Sequence, residues 1–184
     1  MPEPEDVTQL GLRAARGDRA ALSEFIRRTQ ADVWRYVARL SRPDLADDLT
    51  QETYVRVLSA LAGFEGRASA RVWLLAIARR VVVDRSRHDR ARPLLSGGES
   101  WLDVTDSLRA STHLADTLEV EELLSVLGRS QREALVLTQL LGFSYAETAA
   151  ICGCAVGTVR SRVARARAEL VAAVERQRQE QNIV

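Results

Sequence analysis

From Val156 to Leu170 the residues Val156, Val159, Val163, Ala166 and Leu170 recur at helical spacing, about 100° per residue, and share one narrow stripe. A stripe of this kind commits the segment to a helix with one buried face. Across the helix lie Ser161, Ala164 and Ala168, flanked by Arg160, Arg162 and Arg165, and no acid falls between Arg160 and Arg167. Small residues at the crest allow close approach, and guanidiniums on the flanks reach phosphates or guanine edges. Just upstream, SYAETAAI opens with Ser144 and Glu147 at capping-box spacing. Its apolar side is expected at Ala146, Ala149, Ala150 and Ile151. Cys152-Gly153-Cys154 then supplies a turn, with Gly153 where a positive φ is often needed. Short helix, glycine turn and basic helix make the helix-turn-helix pattern. Helical hairpins of protein-binding modules share it, so the pattern alone leaves DNA open as the partner.

The rest of the chain reads the same way. Only Pro2, Pro4, Pro43 and Pro93 interrupt it, and strand-like alternation is scarce, so the expected fold is all-α. Before the basic hairpin, Leu123, Leu124 and Leu127, then Leu135, Val136 and Leu140, predict two supporting helices, with Ser130 as N-cap and Glu133 three residues on. Nearer the start, LADDLTQETYVRVLSAL carries Leu45, Leu49, Tyr54, Val57, Leu58 and Leu61 at helical spacing. RVWLLAIARRVVVDRSRHDR places Trp73, Ile77, Val81 and Val82 on a core side. Between Arg90 and Thr117, Pro93, Gly97, Gly98 and several Ser and Thr residues break the periodicity and predict a linker. The expected organisation is therefore two small helical domains, residues 1–91 and 118–184, joined by an extended linker over 92–117. The polar tail VERQRQEQNIV is expected to fray.

Charge narrows the function. The formal net charge is only +1, but the signs are segregated along the chain. Asp44, Asp47, Asp48, Glu52 and Glu65 face the single base Arg56 between Pro43 and Gly66; arginines dominate from Arg67 to Arg92; acids return from Glu99 to Glu122. Blocks of one sign suggest surfaces with different partners. All 26 basic residues are arginine, which suits planar, bidentate contacts with phosphates and bases. Cys152 and Cys154 are too close for an ordinary disulfide and have no nearby histidine to complete a metal set, so they read as small packing residues. No phosphate-binding glycine loop, His or Cys cluster or paired carboxylate stands out, so neither an enzyme nor a cofactor or metal is expected. No apolar run suits a membrane span and MPEPED is no signal peptide, so the expected location is the cytoplasm.

Three stretches in order, ADDLTQET, SARVWLLAIARRVVVD and SQREALVLTQLLGFSYAETAAICGCAVGTVRSRVARARAEL, give the chain a resemblance to bacterial extracytoplasmic-function (ECF) sigma factors, in particular to the actinobacterial SigC-like group. The resemblance runs from about Gly17 to Leu170. It implies a sigma-2 and a sigma-4 domain that bind core RNA polymerase, at the β′ clamp helices and the β flap, and direct it to promoter DNA, with an anti-sigma factor as a possible further partner. Residue by residue it implies a polymerase face at Asp47, Asp48, Leu49, Gln51 and Glu52. It implies a pocket for a flipped −10 base around Phe64, Arg67 and Ser69, and a −10 DNA face at Arg71, Arg79, Arg80, Asp84 and Arg85. It implies −35 major-groove contacts from Arg160, Ser161, Arg162 and Arg165, with a phosphate contact at Ser144. The acidic linker, including Glu99, Asp103 and Asp106, is implied to thread the polymerase channels. The chain departs from the family pattern at Val72, Arg80, Thr138 and Ala155, which puts promoter preference beyond transfer. A stand-alone helix-turn-helix regulator explains residues 143–170 but leaves the ordered N-terminal motifs unexplained, and a helical adaptor leaves the basic helix unexplained.

Overall fold

The structure, a computed structural model, describes residues 6–91 and 123–181, and every regular element among them is helical. Four α-helices form the first unit: α1 (Val7–Ala15), α2 (Arg19–Leu40), α3 (Ala46–Ala60) and α4 (Ala70–Ala91). Single 3-10 turns at Pro43–Leu45 and Leu61–Gly63 flank α3. The second unit holds α5 (Arg129–Leu135), which runs on into a π-helical stretch at Val136–Leu140, then α6 (Tyr145–Cys152) and α7 (Val156–Gln181). The linker expected over 92–117, with Glu99, Asp103 and Asp106, lies outside the described residues.

Local chemistry explains where the helices begin and end. Asp18 caps α2 by accepting from the Ala21 N–H (3.0 Å), and Arg13 steadies that carboxylate from α1. Ser144 and Glu147 form the expected capping box: the Ser144 hydroxyl accepts from the Glu147 N–H (3.2 Å) and the Glu147 carboxylate accepts from the Ser144 N–H (2.9 Å). Gly153 closes α6 at φ +63°, a left-handed cap that a Cβ would strain. The cap of α5 differs from the expectation. It is Gly128, whose N–H donates to the Gln131 side-chain oxygen (3.0 Å), while Ser130 sits inside the helix and Glu133 is drawn into the interior. The helix α7 continues through Gln181, so most of the tail expected to fray is helical.

Phe25, Val33, Tyr36, Val37, Leu49, Val57, Leu74, Leu75, Ala78 and Val81 fill the first unit. This core does not stop at the unit's edge. Leu127, Val136, Leu137, Leu141, Phe143, Ile151 and Cys152 of the second unit join the same apolar cluster, with α4 packing on α6. A smaller cluster, Ala134, Ala149, Val159 and Val163, holds α6 and α7 together. Of the five-residue stripe on α7, Val159, Val163 and Ala166 are buried as expected, and Leu170 is half-buried. Val156 is 41% exposed, since it opens the helix beyond the reach of Ala134 and Ala149. On α6 the buried residues are Thr148, Ala149, Ile151 and Cys152, whereas Ala146 and Ala150 face out. In the π-helical stretch the Leu141 N–H reaches back to the Val136 carbonyl (3.0 Å); Leu141 is buried and Leu140, expected inside, is turned to solvent. Leu58, also expected inside, is exposed on α3.

Candidate nucleic-acid interface

Three surfaces gather the residues singled out by the sequence. The first is on α3, where Asp47, Asp48, Gln51 and Glu52 are all exposed. Asp47 accepts a hydrogen bond from the Trp34 indole N–H (2.8 Å), which fixes the carboxylate, and Glu52 pairs with Arg56 (2.6 Å). Asp47, Asp48 and Gln51 line a groove of about 480 Å³ whose floor includes Ile26, Tyr54, Val55 and Leu58. The groove is thus acidic at its rim and apolar within. Leu49, expected on this face, is instead part of the core, so it shapes the face only from beneath. Periodicity had pointed Leu58 inward; its exposure beside Val55 supplies apolar contact area that the acidic motif alone does not announce.

The second surface joins the loop before α4 to α4 itself. Phe64 is buried against Trp73, ring centroids 4.8 Å apart at 41°, and a hollow of about 280 Å³ opens between that pair and the loop residues Glu65 to Ala68. Arg67 lies at its mouth, paired with Glu65 (2.5 Å). Ser69 immediately precedes α4, its hydroxyl facing the Val72 N–H at 3.4 Å and its carbonyl accepting from the Trp73 N–H. Arg56 bridges Glu52 and Asp84, at 2.6 and 2.8 Å, and so ties this surface to the first. Arg85 pairs with Asp89 (3.0 Å), and Arg80 is exposed.

Two arginines of this set are engaged by the second unit. Arg71 pairs with Asp32 (2.7 Å), donates to the Leu141 carbonyl (3.1 Å) and lies over the Phe143 ring at 4.6 Å. Arg79 donates to Glu133 (2.8 Å), and the same carboxylate oxygen accepts from the Tyr36 hydroxyl (2.7 Å). Glu133 is only 6% exposed, so its charge is balanced by Arg79 within the seam. Burial, with the neighbouring Glu133 charge, drives the Tyr36 phenol well above its ordinary range. Burial likewise pushes the Cys152 thiol up to about 12, leaving it a neutral packing group. Sequence reasoning missed Glu133 as an interdomain residue, because capping spacing gave it a local task. Its partners lie 97 and 54 positions away in sequence.

The third surface is the outer side of α7. Arg160 and Arg165 are exposed and Ser161 and Arg162 half-buried. Arg165 donates to the Ser161 carbonyl and faces its hydroxyl (both 3.3 Å), which aligns the side chain along the helix. The Arg162 guanidinium touches the Cys154 sulfur (3.8 Å), and Arg167 donates to Gln139 (3.0 Å). None of these four arginines is paired with a carboxylate among the described residues. Gly157, at the start of the helix, has open space where a Cβ would stand. Ser144 is exposed, and its hydroxyl also lies 2.8 Å from the Glu147 carboxylate, so the capping box occupies it.

A helix-turn-helix with an uncompensated arginine face, set beside a helical unit bearing an acid-rimmed groove, marks the class as a DNA-binding protein. The family model "Sigma-70 region 2" matches residues 25–92 and "Sigma-70, region 4" matches residues 117–170. The chain belongs to the sigma-70 family of RNA polymerase sigma factors, in its ECF group, and is SigC-like. It is 53% identical over 173 residues to the ECF RNA polymerase sigma factor SigC of Mycobacterium tuberculosis, covering 94% of each chain. The probable RNA polymerase sigma-C factor of Mycobacterium bovis matches equally. Among solved structures, CnrH in complex with the cytosolic domain of CnrY superposes with a TM-score of 0.70 at 27% identity, covering 92% of this chain and 98% of that one. The sigma factor RpoE in complex with the anti-sigma factor NepR, from Bartonella quintana, gives 0.70 at 30% identity, covering 84% and 96%. The protein is a transcription initiation factor that acts with RNA polymerase by promoter recognition.

Proposed function

We propose that α3, the loop before α4 with α4, and α7 divide the work of initiation among them. The acid-rimmed groove of Asp47, Asp48 and Gln51, with Glu52 on the same exposed face, docks on a basic, apolar-tipped helical element of core polymerase. The hollow beside Phe64 and Trp73 receives a base from the opened −10 strand, with Arg67 and Arg80 on the neighbouring phosphates. The α7 face of Arg160, Ser161, Arg162 and Arg165 enters the major groove at the −35 element. The domain boundaries are 1–91 and 118–184. The chain acts in the cytoplasm, performs no chemistry of its own, and has an anti-sigma factor as a possible regulator, as its structural neighbours RpoE and CnrH are seen with partner proteins.

The observation that carries this reading is the charge on α7: four arginines without a carboxylate among the described residues, on a helix whose opposite side is sealed in the core. The geometry adds a condition. Arg79 gives its Nε–H to Glu133 and Arg71 gives an Nη2–H to the Leu141 carbonyl, so −10 recognition through these donors is favoured when the second unit leaves α4. The test is run-off transcription with purified actinobacterial core polymerase on a pool of genomic promoter fragments. Discrete transcripts that require the protein, and vanish with Arg160→Ala or Asp48→Ala, support the reading. DNA binding without redirection of core polymerase contradicts it and favours a stand-alone regulator.

A further inference from the structure

The cleft between the two units concentrates positive charge that the chain only partly neutralises. It measures about 510 Å³, within the roughly 300–1,000 Å³ of small-molecule sites. The first unit contributes Arg42 and Arg85, the second Arg129 and Arg132. Arg42 is paired with Asp44 (2.9 Å) and Arg85 with Asp89 (3.0 Å), so those two charges are largely answered. Arg129 and Arg132 have no carboxylate partner among the described residues. The Arg132 Nε is also sealed from solvent without an acceptor, and burial lowers the pKa of that guanidinium from its ordinary value. A donor that is neither hydrated nor bonded is costly to keep and calls for an explanation. The first unit also lends the cleft an apolar lining, Leu40, Leu45 and Val82.

We propose that this cleft binds a phosphorylated small molecule of nucleotide size, with its phosphates on Arg129 and Arg132 and its organic part against the apolar wall. Guanidinium forks match phosphate oxygens in pairs, and Arg129 and Arg132, which line the cleft, have no carboxylate among the described residues to occupy them. The apolar wall and the position between two units fit a compact ligand better than a continuous nucleic-acid backbone. Because the phosphate-binding arginines come from the second unit and the apolar wall from the first, the ligand favours the arrangement in which the units touch. It also sits beside Arg85, one of the residues expected to face −10 DNA.

Isothermal titration of the full chain with ATP, inorganic pyrophosphate and adenosine tests this. ATP binds one to one, pyrophosphate binds more weakly, and adenosine gives no heat at the same concentration. Arg132→Gln and Arg129→Gln each weaken ATP binding by about tenfold or more, while Arg19→Gln, on the far end of α2, leaves it unchanged. Circular dichroism checks that each variant is folded; Arg129, half-exposed, carries the test if Arg132→Gln is not. ATP affinity unaltered in the folded variants, or no heat from ATP or pyrophosphate at about 1 mM, overturns the proposal. So does an equal loss in Arg19→Gln. A short DNA duplex that depends on Arg129 and Arg132 as strongly as ATP does would assign the cleft to DNA instead.

Discussion

The arginines of α7 and those of α4, both proposed to meet DNA, occupy opposite circumstances. On α7, Arg160 and Arg165 stand in solvent, bonded at most to their own helix. On α4, Arg71 and Arg79 are bound to the other unit through the Leu141 carbonyl and Glu133, and Arg71 is also paired with Asp32 of its own unit. A charge held in water is available to the first phosphate it meets, whereas a charge in a part-buried pair must first be released. The two units therefore present one of the proposed DNA surfaces open and the other partly closed. The difference comes from one residue more than any other: Glu133 on α5, which joins Tyr36 and Arg79 across the seam.

Removing that residue gives the largest expected effect. Glu133→Ala leaves the fully buried Tyr36 hydroxyl without an acceptor and Arg79 without its counter-charge. We expect a loss of about 2–4 kcal/mol in urea unfolding of the full chain. Tyr36→Phe should be milder, and a double-mutant cycle between the two should show coupling. Additive costs would break the comparison, since the seam would then not be held by this contact. On the open side, Arg160→Ala should lower affinity for a −35 duplex by about tenfold, with unfolding unchanged. A large stability loss would mean that the arginine is structural.

Smaller effects sharpen the same contrast. Gly153→Ala forces an L-residue into the left-handed cap between α6 and α7 and should cost about 1 kcal/mol in thermal unfolding. The α6 cap also carries a pH signature. The Ser144 N–H and hydroxyl hold the Glu147 carboxyl below its ordinary value of 4.5. The folded-state pKa is depressed, so the stabilisation is present above that ordinary value and lost as pH falls through the folded-state pKa. The gap in stability between wild type and Glu147→Gln should be visible at neutral pH and shrink in acid; a gap that widens in acid would contradict the sign.

Much of this was legible in the sequence for a physical reason: the basic hairpin is organised by contacts close in sequence. The Ser144–Glu147 capping box, the positive φ of Gly153 and the buried side of Val159, Val163 and Ala166 all follow from local chemistry and a single period. The polar face of Asp47, Asp48, Gln51 and Glu52 followed in the same way. What failed depended on distant partners. Leu58 and Leu140 keep helical spacing but are not covered by the core, so they stand exposed, while Leu49 goes inside from the middle of a motif expected to face a partner. Glu133 was given a cap's role because nothing in its neighbourhood shows that Tyr36 and Arg79 lie against it. The acidic groove was visible as charge, but its apolar floor at Val55 and Leu58 became apparent only once α2 and α3 were side by side.

The most direct test of the open and closed surfaces is the affinity of the full chain for a −10 non-template single strand, taken from a promoter mapped by run-off, in wild type, Glu133→Ala and the Glu133→Ala/Arg79→Ala pair. Freed from Glu133, Arg79 should bind phosphate, so Glu133→Ala should bind the strand several-fold more tightly and the pair should lose that gain. If Glu133→Ala, shown to be folded, binds no better than wild type, or if the gain survives without Arg79, the seam does not guard the α4 surface and the account is wrong.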